Sequence, residues 1–193
     1  MNIANQLTIF RIFLIPIFIL LLVGPFNWGE IYFLGSTVPM NWFIAGIIFA
    51  VASITDFLDG YLARKYDLTT PFGAFLDPMA DKLLVISAFI ALVELDVIPG
   101  WIVIVIVSRE LLVTGLRLLI IEAGGEILAA ALPGKIKTFS QMFSILFYLW
   151  NNPIVGQYHI NLAQILLYIC LFFTVYSGVE YFYQGRFVFK NYR

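Results

Sequence analysis

Long apolar runs broken by short polar stretches dominate this chain, and the breaks divide it more clearly than any periodicity within the runs. A helix rises about 1.5 Å per residue, so about 20 apolar residues cross the hydrocarbon layer of a bilayer. Charges and turn residues leave six pieces near that length, at 5–23, 40–65, 77–95, 98–122, 135–150 and 161–183. The third is uncharged only from Leu83 to Val93, too short to cross unaided. It spans if its helix begins near Asp77, with Asp81 and Lys82 inside the helix at one membrane face and Glu94 and Asp96 at the other. Pro78 suits the first turn of that helix, where a missing N–H costs nothing, and Pro16 is expected to kink the first span. The pattern predicts an all-α polytopic membrane protein with six transmembrane helices. With no internal repeat, linker or low-complexity segment, residues 1–193 read as a single membrane domain.

Composition agrees. Hydrophobic residues make up 62% of the 193 and charged residues 12%, with a mean hydropathy of +0.95, more apolar surface than a soluble core absorbs. A net charge of -1 with no basic run leaves no footprint for nucleic acid. The single cysteine, Cys170, excludes an internal disulfide, and its place in the last apolar piece predicts a buried thiol. The N-terminus shows no small-residue cleavage site, which argues against a removable signal peptide. Segments 24–39, 96–97 and 151–160 hold no Lys or Arg, whereas 64–76, 123–137 and the tail from 184 hold Arg64, Lys65, Lys135, Lys137, Arg186, Lys190 and Arg193. Basic residues gather on the cytoplasmic side. Both termini are therefore expected in the cytoplasm, the chain is expected to be multi-pass in the cell membrane, and Trp28, Trp42 and Trp150 should mark the outer interface.

Against this background the stretch DFLDGYLARKYDLTTPFGAFLDPMAD, residues 56–81, stands out for four aspartates. The second and third spans form a helical hairpin, and Asp56, Asp59, Asp77 and Asp81 fall at its cytoplasmic end. Spacings of three and four residues put each pair on one helix face. Gly60 and Ala63 extend the first face with side chains small enough for close approach. A carboxylate inside a span costs roughly 2.5–3.5 kcal/mol, less near the interface. Arg64 and Lys82 offset only part of the charge. All-oxygen ligands imply a hard cation, Mg²⁺, Mn²⁺ or Ca²⁺, and two divalent ions balance four carboxylates.

The pattern D56-F-L-D59-G60-Y-L-A63-R64, eight residues, then G73-A-F-L-D77-P-M-A-D81 resembles the complete signature of the CDP-alcohol phosphatidyltransferases. NQLTIFRIFLIP near the start, SRELLVTGLR at 108–117 and GKIKT at 134–138 resemble the bacterial phosphatidylglycerophosphate synthases within that family. The resemblance implies transfer of the phosphatidyl group from CDP-diacylglycerol to an alcohol with release of CMP. It implies two divalent ions, Mg²⁺ or Mn²⁺, held by Asp56, Asp59, Asp77 and Asp81, with Asp81 also the base that deprotonates the incoming hydroxyl. Gly60, Ala63 and Gly73 would then admit the cytidine and pyrophosphate, and Arg64 would contact the phosphates. Asn5, Thr8 and Arg11, three residues apart on one face, would help close the CDP site; an N-cap and a snorkelling arginine are their plainer roles. A homodimer is also implied.

The acceptor is read from the fourth and fifth spans. Arg109 lies too deep for easy snorkelling, and an intramembrane arginine points to function. Glu110, Thr114 and Arg117 form a polar stripe, for which an internal ion pair between Glu110 and a neighbouring arginine is the alternative. Lys135 and Lys137 open the fifth span and otherwise serve as interface anchors. Together Arg109, Arg117, Lys135 and Lys137 suit an anionic acceptor, sn-glycerol 3-phosphate, yielding phosphatidylglycerophosphate; inositol phosphate, serine and phosphatidylglycerol are the rival acceptors. From other classes, a divalent-cation transporter and an intramembrane prenyltransferase also use aspartates on membrane helices. The transporter reading is weakened by the clustering of all four carboxylates at one face.

Overall fold

A computed structural model describes the backbone over 3–66, 71–122, 132–154 and 160–191, and the side chains over 8–55, 82–120, 132–154 and 160–186. Six helices account for most of it: α1 (Ile3–Val23), α2 (Met40–Tyr66), α3 (Pro71–Glu94), α4 (Gly100–Glu122), α5 (Leu132–Leu149) and α6 (Leu162–Asn191). The limits of α1, α2, α4 and α5 fall within about three residues of the expected pieces, α6 runs past the expected end at 183 to Asn191, and α1 stays helical through Pro16.

Two expectations need correction. The third helix begins at Pro71, six residues ahead of Asp77. Pro71, not Pro78, occupies the first helical position, where proline's fixed φ and absent N–H suit a helix start. Gly73 lies inside the helix, a cost of about 1 kcal/mol that context overrides. Nor is the chain purely helical. Strands β1 (Glu30–Phe33) and β2 (Ser36–Pro39) pair antiparallel, with Glu30 opposite Pro39 and Phe33 opposite Ser36. Their two-residue turn has both central residues at positive φ, Leu34 at 46° and Gly35 at 90°, the twist that matches a hairpin. Without the Asn-Gly or Asp-Gly signal, the sequence conceals it.

The described residues group into two compact units. The first holds Met1–Ile98 and Ile145–Ala163, the second Pro99–Ser144 and Gln164–Arg193. In the first, α1 packs against α2 and α3, with Phe18 against Phe49 at 6.0 Å between ring centroids. Asn41 Nδ2 donates to Leu21 O at 3.0 Å, tying the end of α1 to the start of α2. The hairpin closes this end. Asn151 Nδ2 donates to Thr37 O at 3.1 Å and Ile154 N to Leu34 O at 2.6 Å, while Phe33, Phe43 and Trp150 pack ring on ring. Both α3 and α5 end in Schellman turns. Val97 N reaches Leu92 O at 2.9 Å around Asp96 at φ 56°, and Asn152 N reaches Phe147 O at 2.7 Å around Asn151 at φ 53°. Asp and Asn supply the left-handed residue usually given by glycine.

Side-chain burial is inverted relative to a soluble protein. On α5 the stripe Lys137, Ser140, Gln141 and Ser144 is buried, whereas Leu132, Ile136, Phe139 and Phe143 are exposed. On α6 Thr174 and Ser177 are buried while Phe172, Val175, Tyr176 and Val179 are exposed. Water would oppose both arrangements, and hydrocarbon favours both. Among the described residues, one stretch, Leu162–Arg186 of α6, is long and apolar enough to cross a membrane by itself.

Candidate active site

The acidic signature lies on α2 and α3. Side chains of Asn5, Asp56, Asp59, Ala63, Arg64, Asp77 and Asp81, and the surroundings of Gly60 and Gly73, lie outside the described residues, but the helices that carry the aspartates are described. Asp56 and Asp59 are ten and seven residues before Tyr66, the last of α2; Asp77 and Asp81 are six and ten residues after Pro71, the first of α3. At 1.5 Å per residue these are heights of about 15, 10, 9 and 15 Å from the ends joined by 67–70. Measured along its own helix, Asp56 thus lies as far from residues 67–70 as Asp81 does, and Asp59 about as far as Asp77. Among the described residues there is no group of three or more potential metal-ligating side chains.

The α1 stripe reaches the same levels. Counting back along the antiparallel helices from the Leu21–Asn41 and Phe18–Phe49 contacts sets Asn5 level with 57–62 of α2, Thr8 with 54–59 and Arg11 with 51–56. Thr8 and Arg11 are wholly buried, which removes Arg11 from the role of a snorkelling anchor.

In the second unit two of the expected cations, Arg109 and Lys137, meet on the carboxylate of Glu110. Arg109 is the tenth residue of α4, near its middle. Its Nη1 donates to Glu110 Oε1 at 2.9 Å, and Lys137 Nζ of α5 donates to the same oxygen at 2.5 Å. These side chains are 13%, 13% and 7% exposed for Arg109, Glu110 and Lys137. The internal ion pair and the cationic cluster, alternatives in sequence, are both present. Thr114 turns its hydroxyl onto Glu110 O at 2.6 Å and so serves its own helix. Arg117 Nη2 donates to Tyr181 Oη at 2.5 Å. Lys135 is exposed at the start of α5.

With Arg109, Lys137 and Arg117 against Glu110, the formal charge of this partly buried group is +2. Donors also outnumber acceptors, and the buried Nε atoms of Arg109 and Arg117 have no hydrogen-bond partner among the described residues. Such a group is complemented by an anion that offers several oxygens.

Residues of α6 that sequence reading did not select complete the surroundings. Ser177 Oγ accepts from Arg109 Nη2 at 2.9 Å, and a Cβ on Gly178 would come within 3.1 Å of Arg109 Cγ. The stretch YSGVEYF at 176–182 interrupts an otherwise apolar span with Ser, Gly and Glu, and that break was the available signal.

An acid signature on two consecutive helices, in a helical chain with a lipid-adapted surface, defines a class, and comparison with known proteins agrees with it. Residues 1–176 match the family model described as CDP-alcohol phosphatidyltransferase, and the chain belongs to that family. Among its relatives is a Bacillus subtilis (strain 168) protein named CDP-diacylglycerol--glycerol-3-phosphate 3-phosphatidyltransferase, 46% identical over 94% of this chain and 93% of that one. A Haemophilus influenzae protein of the same name is 39% identical over 93% of this chain and 91% of its own. A Mycobacterium tuberculosis (strain H37Rv) protein named probable phosphatidylglycerophosphate synthase is 41% identical over 93% of this chain and 79% of its own.

Proposed function

We propose that the protein transfers the phosphatidyl group of CDP-diacylglycerol to sn-glycerol 3-phosphate, yielding phosphatidylglycerophosphate and CMP. Family membership supplies the chemistry, and relatives named for this reaction support the acceptor. The observation that carries the choice of acceptor is the group formed by the Arg109–Glu110–Lys137 ion pairs and by Arg117, which shares the Tyr181 ring with Arg109, for a formal charge of +2. A phosphate monoester carries close to two negative charges at neutral pH. Serine offers no such match.

Asp56, Asp59, Asp77 and Asp81 would hold two divalent ions, Mg²⁺ or Mn²⁺, and their matching distances along two consecutive helices support an all-oxygen set contributed by both. Bound there, the ions would polarise the pyrophosphate and stabilise the departing CMP. Asp81 takes the proton from the acceptor hydroxyl, whose oxygen bonds to the phosphatidyl phosphorus as the bond from that phosphorus to CMP breaks. Gly60, Ala63 and Gly73 leave room for the nucleotide, and Arg64 with Asn5, Thr8 and Arg11 closes its site. Arg109, Arg117, Lys135 and Lys137 hold the acceptor phosphate. We further read the chain as a homodimer of six-span subunits, with both termini and the active site facing the cytoplasm.

Purified protein incubated with CDP-diacylglycerol and each candidate alcohol should release CMP with glycerol 3-phosphate, and only with Mg²⁺ or Mn²⁺ present. Equal release with serine or inositol phosphate would remove the acceptor assignment, and release that survives exhaustive chelation would remove the metal. Asp81→Asn should nearly abolish turnover while nucleotide binding persists. Arg117→Ala or Lys135→Ala should raise KM for glycerol 3-phosphate far more than KM for CDP-diacylglycerol.

A further inference from the structure

The geometry points to Tyr181 of α6 as the positioning residue that sets the acceptor phosphate site, a role that rests on the acceptor reading given above. Tyr181 follows the last residue matched by the family model, Tyr176, by five positions. Its side chain is buried, with 5% exposure. One ring serves both arginines. Arg117 Cζ stands 5.0 Å from the ring centroid and Arg109 Cζ 5.8 Å, within reach of the attraction between a guanidinium and an aromatic face. The hydroxyl adds a directed bond from Arg117 Nη2 at 2.5 Å.

The two arginines are eight residues apart on α4, and a long guanidinium stem has many rotamers to lose. Ser177, one turn before Tyr181, takes a second bond from Arg109 while its own proton goes to Phe173 O at 2.6 Å. That fixes the serine oxygen as an acceptor. Tyr181 differs. Its oxygen accepts from Arg117, and its single proton has no acceptor among the described residues. The phenol is therefore free to donate to an anionic oxygen that approaches Arg117. Gly178 between them leaves room for the Arg109 stem. Tyr181 thus orients the cations and adds a neutral donor that favours a phosphate-bearing acceptor over an uncharged alcohol.

Steady-state kinetics of Tyr181→Phe, Tyr181→Leu and Arg117→Ala test this. Tyr181→Phe keeps the ring and removes the hydroxyl. It should raise KM for glycerol 3-phosphate about tenfold, equivalent to about 1.4 kcal/mol, with KM for CDP-diacylglycerol within about twofold of the parent. The preference for glycerol 3-phosphate over glycerol, as a ratio of kcat/KM, should fall by a similar factor. Tyr181→Leu should have the larger effect; if it fails to fold, the phenylalanine variant still decides. An unchanged KM for glycerol 3-phosphate in Tyr181→Phe, or equal shifts for both substrates, overturns the proposal and leaves Tyr181 as core packing. Should Arg117→Ala raise the acceptor KM selectively while Tyr181→Phe does not, Tyr181 alone loses its role. Should Arg117→Ala leave the acceptor KM unchanged, the acceptor site itself is misplaced and the role of Tyr181 falls with it.

Discussion

Arg109 and Lys137 share the carboxylate of Glu110, and its removal is the sharpest perturbation of the second unit. Glu110→Gln preserves shape and one acceptor oxygen but raises the formal charge of the cluster from +2 to +3. Breaking a buried ion pair by removing one partner costs about 3–5 kcal/mol, because the remaining charge stays desolvated. Since 13% of the Glu110 side chain is exposed, the lower end, about 3 kcal/mol, is the better expectation. For a chain of this size each kcal/mol moves Tm by about 2–4 °C, giving a fall of about 6–12 °C. The single cysteine supplies the assay. Cys170 is wholly buried on α6 in the same unit, so a fluorogenic thiol reagent in detergent reports when the helices around it open. Lys137→Met should be similarly destabilising, and Glu110→Gln combined with Lys137→Met should cost less than the two single changes added together. A Glu110→Gln variant that melts within about 1 °C of the parent, with no coupling to Lys137, would show that these charges are solvated and would refute the reasoning.

Three further outcomes test other parts of the structure. Gly46→Ala drives a Cβ into Trp150 Nε1, so the indole must move and lose its bond to Phe43 O at 3.3 Å; a loss of about 2 kcal/mol is expected, read by melting together with a shift in tryptophan emission. Leu34→Asn should stabilise the protein by about 0.5–1 kcal/mol, because asparagine tolerates the φ of 46° and the exposed leucine contributes little packing; a lower Tm would mean that the leucine side chain is needed. Ser140→Val replaces a hydroxyl bonded to Ile136 O and Lys137 O on the buried face of α5 with a branched apolar group. It should lower Tm by several degrees, whereas Phe139→Val on the exposed face should change it by less than about 2 °C in detergent micelles.

How much of this was readable beforehand depends on how local the cause is. The six helices follow from the length of apolar runs and the fixed rise of a helix, so their limits match the expected pieces within a few residues except at the start of α3 and at the end of α6, which runs on to Asn191 instead of stopping near 183. There, Pro71 and Gly73 read as loop, yet a proline at the first position begins a helix as readily as it prevents one from continuing. The hairpin at 30–39 was hidden because its turn uses Leu34 at positive φ, a strain that the flanking pairing and the bond to Ile154 sustain. Asp56, Asp59, Asp77 and Asp81 were visible because their spacing along two helices is a property of the chain.

Sequence by itself determined the apolar spans, the acidic signature and its place at the joined ends of α2 and α3, since these depend on residue type and on distance along one helix. Tertiary structure decided which face of each helix turns inward. A nearly uniform apolar surface leaves that direction open, and only packing buries Ser140 and exposes Phe139 on adjoining positions. It also decided the company kept by the cations. Arg109 meets Ser177 across 68 positions and Arg117 meets Tyr181 across 64, contacts that arise from the approach of α4 to α6 and have no trace in local spacing.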